Sequence, residues 1–137
     1  MKSNELRTSN NILDKDGEIN KVIGIVNNAL FLENKYDIVG CPISWCKPIP
    51  LTEEWLFKFG FKTRTTENIS VQYFIGENPI TGDWLFDIIW LKGDEYPFYR
   101  NGFFKIKYVH QLQNLYFALT GEELTIKTTY YAQMFKL

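Results

Sequence analysis

Apolar residues recur at steps of three and four between Lys107 and Leu124: Val109, Leu112, Tyr116 and Leu119, with Leu115 beside them. This spacing lines one side of a 3.6-residue helix, so an amphipathic helix is predicted over 109–120. Gly121 follows the last periodic residue, where a left-handed cap favours a residue without a Cβ, and should end it. A shorter helix is predicted over 52–59. Thr52 can accept from its free backbone N–H groups, Glu53 and Glu54 place negative charge in the first turn, Leu51 can staple onto Leu56, and Gly60 stops it. Trp55 and Phe59 lie one turn apart and give this helix an aromatic face.

Elsewhere the period is two. After a turn at Asp14 to Gly17, Ile19, Lys21, Ile23 and Ile25 alternate with Asn20, Val22, Gly24 and Val26 in a strand pattern. Asn27-Asn28 can take the positive φ of a tight hairpin before a second strand over 29–33. Pro42 and Pro48 break the next apolar run and leave an edge-like strand piece around Ile43 to Cys46. Short strands joined by tight turns across 1–50 fit a small SH3-like β module or a simple meander. Beyond Phe61, Ile69 to Ile75 and Asp83 to Leu91 read as strands. The second has Trp84, Phe86, Ile88 and Trp90 on one side and Leu85, Asp87, Ile89 and Leu91 on the other, so it is expected at the centre of a sheet. Asn101-Gly102, between Phe98-Tyr-Arg and Phe103-Phe-Lys, is the strongest hairpin signal, and Leu124 to Tyr131 favours a final strand. Residues 1–11 are polar and expected to be loosely held. The fold class that follows is α+β: a small N-terminal SH3-like β module over 1–50, then over 51–137 an antiparallel sheet packed by one C-terminal helix, the whole forming one unit.

Composition narrows the function classes. The 137 residues suit one ordinary domain, and eleven Phe, eight Tyr and four Trp exceed what a core of this size needs, leaving rings for a binding face. A formal charge of -1 gives no global positive field to draw the chain to nucleic acid or an anionic membrane. The start, Met-Lys-Ser-Asn-Glu-Leu-Arg, lacks the apolar core of a signal peptide, and no apolar run approaches the ~20 residues of a membrane helix, so a soluble cytoplasmic protein is expected. Cys41 and Cys46, the only thiols, are then expected to be reduced.

Candidate chemistry is sparse. His110 is the single histidine, so any nucleophile–histidine or multi-histidine arrangement must run through it, and its place at a helix start suits a local hydrogen bond better than a catalytic base. Cys41, Cys46 and His110 are three soft ligands at spacings that match no zinc finger. The carboxylate pairs Glu53-Glu54, Asp94-Glu95 and Glu122-Glu123 each suit a helix end or a turn, and Gly76, Gly82 and Gly93 are isolated turn residues rather than a phosphate cradle. No catalytic residue, metal or cofactor is therefore assigned. Two surfaces stand out. Trp84, Phe86 and Trp90 would form an aromatic protein-binding patch if their side of the sheet were open. Arg100, Phe103, Lys105 and Lys107 on the hairpin could stack bases and neutralise phosphates of RNA or single-stranded DNA.

Two blocks carry a resemblance: Lys47-Pro-Ile-Pro-Leu-Thr-Glu-Glu-Trp-Leu-Phe-Lys-Phe-Gly-Phe61, and Ile106-Lys-Tyr-Val-His-Gln-Leu-Gln-Asn-Leu-Tyr-Phe-Ala-Leu-Thr-Gly-Glu-Glu-Leu124. They resemble small proteins carried by bacterial phages, prophages and other mobile elements. Asn4-Glu-Leu-Arg7 and Gly17-Glu-Ile-Asn-Lys-Val-Ile-Gly24 are similar to the N-terminal β module of that family. The likeness is weak between Thr63 and Tyr99, and Thr8-Ser-Asn10 stands where relatives have an Ile-Gly-Asn type of turn. The resemblance implies a context rather than a chemistry, since it brings no catalytic or ligand residue. With the surplus aromatics and the absence of a catalytic motif, that context leads to the expectation of a non-enzymatic mobile-element protein that binds a host protein or ribonucleoprotein and inhibits or modulates it, an antiviral nuclease such as a CRISPR effector being one such target. Nucleic-acid binding is the alternative, and a small hydrolase working through His110 a third.

Overall fold

The computed structural model describes residues 1–66, 69–77 and 84–127, with backbone alone at 66, 77, 84 and 85. The architecture is α+β: antiparallel sheets of four and five strands with helices α1 (Glu53–Lys58) and α2 (Val109–Thr120). The chain divides into two compact units, Met1–Pro50 with Tyr108–Glu123, and Leu51–Lys107 with the residues from Leu124 onward.

In the first unit β1 (Asn11–Leu13), β2 (Ile19–Val26), β3 (Ala29–Glu33) and β4 (Ile38–Pro42) pair antiparallel in chain order. The predicted Asp14 turn forms because one carboxylate oxygen of Asp14 accepts from the N–H groups of Asp16 and Glu18 at 2.9 and 3.0 Å. Asn27 takes φ 55° in the β2–β3 hairpin, as its sequence suggests. The strand expected around Ile43 to Cys46 lies earlier, because Pro42 lacks an N–H to extend the ladder; it ends β4, and Ile43–Trp45 coils into a 3-10 turn. That turn returns the chain to β1, where Leu13 and Lys47 exchange backbone hydrogen bonds at 2.9 and 3.0 Å. Four strands in chain order, a 3-10 turn and a return to the first strand make up this small sheet. A bulge between Val22 and Gly24 sets both Val22 and Ile25 opposite Leu32 and Leu30, so the alternation in β2 slips at Ile23. Leu6, Ile12, Val22, Leu30, Leu32 and Cys46 form the core of this unit.

Helix α2 begins at Tyr108, whose N–H donates to Gln111 Oε1 at 3.1 Å, and ends at Gly121 with φ 75°. It groups with β1 of the first unit, not with the second sheet as chain order suggested. Its buried face comprises Val109, His110, Leu112, Gln113 and Tyr116, while Leu119 is 52% exposed. The stripe therefore turns toward polar residues, and the reason lies in the N-terminal loop. Gln113 accepts from Asn11 N–H at 2.8 Å and donates to Asn11 Oδ1 at 2.9 Å and Ser9 O at 3.2 Å. Asn114 accepts from Asn10 Nδ2 at 2.8 Å and donates to Glu5 O at 2.8 Å, and Arg7 lies 3.7 Å over the Phe117 ring while pairing with Glu123. Residues 5–11 are thus pinned rather than loose, with Asn10 and Asn11 buried.

In the second unit Thr52 caps α1, its Oγ1 accepting from Trp55 N–H at 3.4 Å, and Gly60 follows at φ 93°. Strands β5 (Lys62–Thr66), β6 (Ser70–Glu77), β7 (Trp84–Leu91), β8 (Phe98–Tyr99) and β9 (Phe104–Lys105) lie in that order, which makes β7 central as predicted. One face carries Tyr73, Phe86 and Ile88 and meets the α1 segment: Phe57 sits 6.2 Å from Tyr73, Phe61 sits 6.1 Å from Phe86, and the Tyr73 hydroxyl donates to Glu53. The other face carries a polar ladder in which Arg64 donates to Gln72 at 2.9 Å, Gln72 to Asp87 at 2.8 Å, and Arg100 to Asp87 at 3.1 Å. The final strand expected from Leu124 is absent through Lys127, whose N–H instead donates to Lys58 O at 3.0 Å; its remainder lies outside the described residues. Among the described residues no helix is long and apolar enough to cross a membrane.

Candidate functional site

The hairpin β8–β9 builds its own display of rings. Phe98 pairs with Lys105 and Tyr99 with Phe104, so a four-residue loop, Arg100 to Phe103, joins the strands. Asn101-Gly102 therefore does not make the two-residue turn that its sequence suggested. The N–H of Phe103 donates to Tyr99 O at 2.7 Å, and the left-handed conformation falls on Phe103, at φ 58°. Gly102, one residue earlier, leaves room for the next ring: a Cβ there would stand 2.4 Å from the Phe104 ring and turn it aside. A bulky side chain at positive φ is uncommon and costs conformational energy.

The rings form two stacks. Phe86, Tyr99 and Phe104 follow one another at 5.1 and 6.4 Å, nearly parallel, from the 2% exposed Phe86 outward to Phe104 at 59%. Phe98 and Phe103 stack at 6.1 Å, and Phe103 is 79% exposed. The tip thus presents two large apolar side chains to solvent on a framework anchored in the sheet.

The predicted residues separate on this framework. Phe86 is buried, so it supports the hairpin from beneath instead of contacting a partner. Trp90 is half-buried, donates its Nε1–H to Asp94 O at 3.0 Å, and lines an open depression of about 400 Å³ with Thr65, Val71 and Tyr73. The side chain of Trp84 lies outside the described residues. The cations of the nucleic-acid reading have acquired partners within the unit. Arg100 pairs with Asp87, Lys105 with Asp94 at 3.1 Å, and Lys107 Nζ lies 5.6 Å over the Tyr96 ring. Only Phe103 of that set is turned outward without such a charge partner. Phe104 is not among the residues predicted from sequence, although its place two residues after the Asn-Gly pair marks it as part of a hairpin rim.

His110 is 1% exposed, and among the described residues neither ring nitrogen has a hydrogen-bond partner, so the local hydrogen bond expected at the helix start is not made. Burial pushes its pKa below the ordinary histidine value, opposed by the Glu5 carboxylate 3.9 Å from Nε2. Burial, with the adjacent Glu53, likewise raises the Tyr73 phenol well above its usual range. No group of three His, Cys, Asp or Glu side chains converges as a metal site among the described residues.

Comparison of the chain with protein-family models, curated proteins and solved structures finds no match.

Proposed function

We propose that this chain is a non-enzymatic binding protein that docks on a protein partner through Phe103 and Phe104. The observation that carries the reading is the exposure of both rings, one of them held at positive φ on a stacked aromatic support. Strained backbone and solvent-facing apolar area are disfavoured in an isolated molecule, and both find compensation when a partner covers them. The neighbouring cations already face carboxylates or a ring, which leaves less of their charge for phosphates than a nucleic-acid groove would use.

In the mobile-element context that the two sequence blocks imply, the partner is a cytoplasmic host factor of a bacterium, with an antiviral nuclease such as a CRISPR effector the foremost class. The test is phage plating on cells that carry an active nuclease defence. Wild-type protein should raise plating efficiency, and Phe103→Ser with Phe104→Ser should abolish the rise while leaving the circular dichroism spectrum unchanged. No effect of the wild type would remove the anti-defence reading. A salt-dependent shift of short oligonucleotides, lost in Arg100→Ala with Lys105→Ala, would replace protein docking by nucleic-acid binding.

A further inference from the structure

The two thiols, which the docking reading leaves unused, meet inside the first unit. Cys41 sits on edge strand β4 and faces inward beside Leu30, and Cys46 closes the 3-10 turn and belongs to the core cluster. Their Sγ atoms are 3.3 Å apart, both in the reduced state. A disulfide is about 2.05 Å long, so closure asks the two sulfurs to approach by a little over 1 Å.

We propose that Cys41 and Cys46 are an oxidisable pair that closes reversibly to an intramolecular disulfide. The two sulfurs differ in access: Cys41 is half-buried, whereas Cys46 is 6% exposed. Burial, then the hydrogen bond with Cys41, pushes the Cys46 thiol up to about 12. Cys41 is thus the sulfur that a peroxide reaches first. Its thiolate takes one oxygen from hydrogen peroxide to give a sulfenic acid and, with one proton, water. The Cys46 sulfur then attacks the Cys41 sulfur, the S–S bond forms, and the hydroxyl leaves as a second water with the Cys46 proton. A dithiol reductant reverses the step by exchange.

The bond spans Pro42 to Trp45. Trp45 is 51% exposed, and Pro42, Ile43 and Ser44 line an open groove of about 630 Å³ together with Met1–Asn4 and Asn28. Oxidation would therefore fix one wall of that groove and the segment that presents Trp45.

The test uses the full reduced chain and hydrogen peroxide, read by intact mass and by thiol titration in denaturant. The expected result is a loss of about 2 Da with both thiols gone, restored by dithiothreitol. With dimedone present throughout, less than about one-tenth of the wild type should carry the adduct, since the neighbouring sulfur outruns the trap. Cys46→Ser should instead carry it nearly completely at Cys41. Sulfinic acid at Cys41, or disulfide-linked dimers, without the loss of about 2 Da would overturn the proposal. So would equal dimedone trapping of wild type and Cys46→Ser, and the wild-type reaction decides even if the variant fails to fold.

Discussion

Gln113 is fully buried and spends its side-chain amide on three groups of the N-terminal loop. Gln113→Leu keeps the volume but leaves the Asn11 N–H, the Asn11 amide oxygen and the Ser9 carbonyl without that partner. A loss of about 2–4 kcal/mol in urea unfolding is expected, and an unchanged unfolding free energy would show that these hydrogen bonds add nothing to stability. His110 makes a different prediction. Because burial lowers its folded pKa below 6.5, the unfolded chain binds the proton first. This residue therefore costs no stability above about pH 7, and stability falls as the pH drops below 6.5 until the folded form also protonates. Urea unfolding at pH 7.5 and 5.5 should show a larger drop for the wild type than for His110→Gln; an equal drop would mean that His110 does not titrate this way.

At the scale of elements, the hairpin β8–β9 opposes stability to display. Phe103→Gly releases the left-handed backbone and should raise the unfolding free energy by about 0.5–1 kcal/mol while weakening partner capture. A variant that is both less stable and fully active would contradict the assignment of this residue. The elements most legible in sequence were those whose signals are local. Helix α2 was readable from its periodicity and Gly121, α1 from Thr52 and Gly60, and β7 from its two apolar faces. What escaped depends on partners distant in sequence. The bulge at Ile23 is set by the β3 register, the burial of Gln113 and the exposure of Leu119 by the loop at 7–11, and the pairing of Arg100 by Asp87 across β7. The Asn-Gly turn misled because the strand register leaves four residues in the loop, with the positive φ on Phe103. Of the candidate site, only Phe103 was legible, since exposure is a tertiary property.

At the scale of the molecule, the first unit is assembled from two stretches separated by the second. Residues 1–50 hold all four strands of the small sheet, yet the side-chain amides of Asn10 and Asn11 bond to Asn114 and Gln113 of α2. A fragment ending at Pro50 should therefore give the poorly dispersed amide spectrum of an unfolded chain, and a peptide of residues 108–123 added in trans should restore dispersion. A well-dispersed spectrum from the fragment alone would show that the polar seam is dispensable.

This discontinuity has a consequence during synthesis. When Pro50 leaves the ribosome, the helix that completes its unit has not been translated, and at 5–20 residues per second it follows roughly 4 to 15 s later. The nascent sheet must wait, with the Asn10 and Asn11 amides in water, while the stretch that carries the other five strands emerges. Gln113 and Asn114, in the middle of α2, are the groups whose arrival ends that wait.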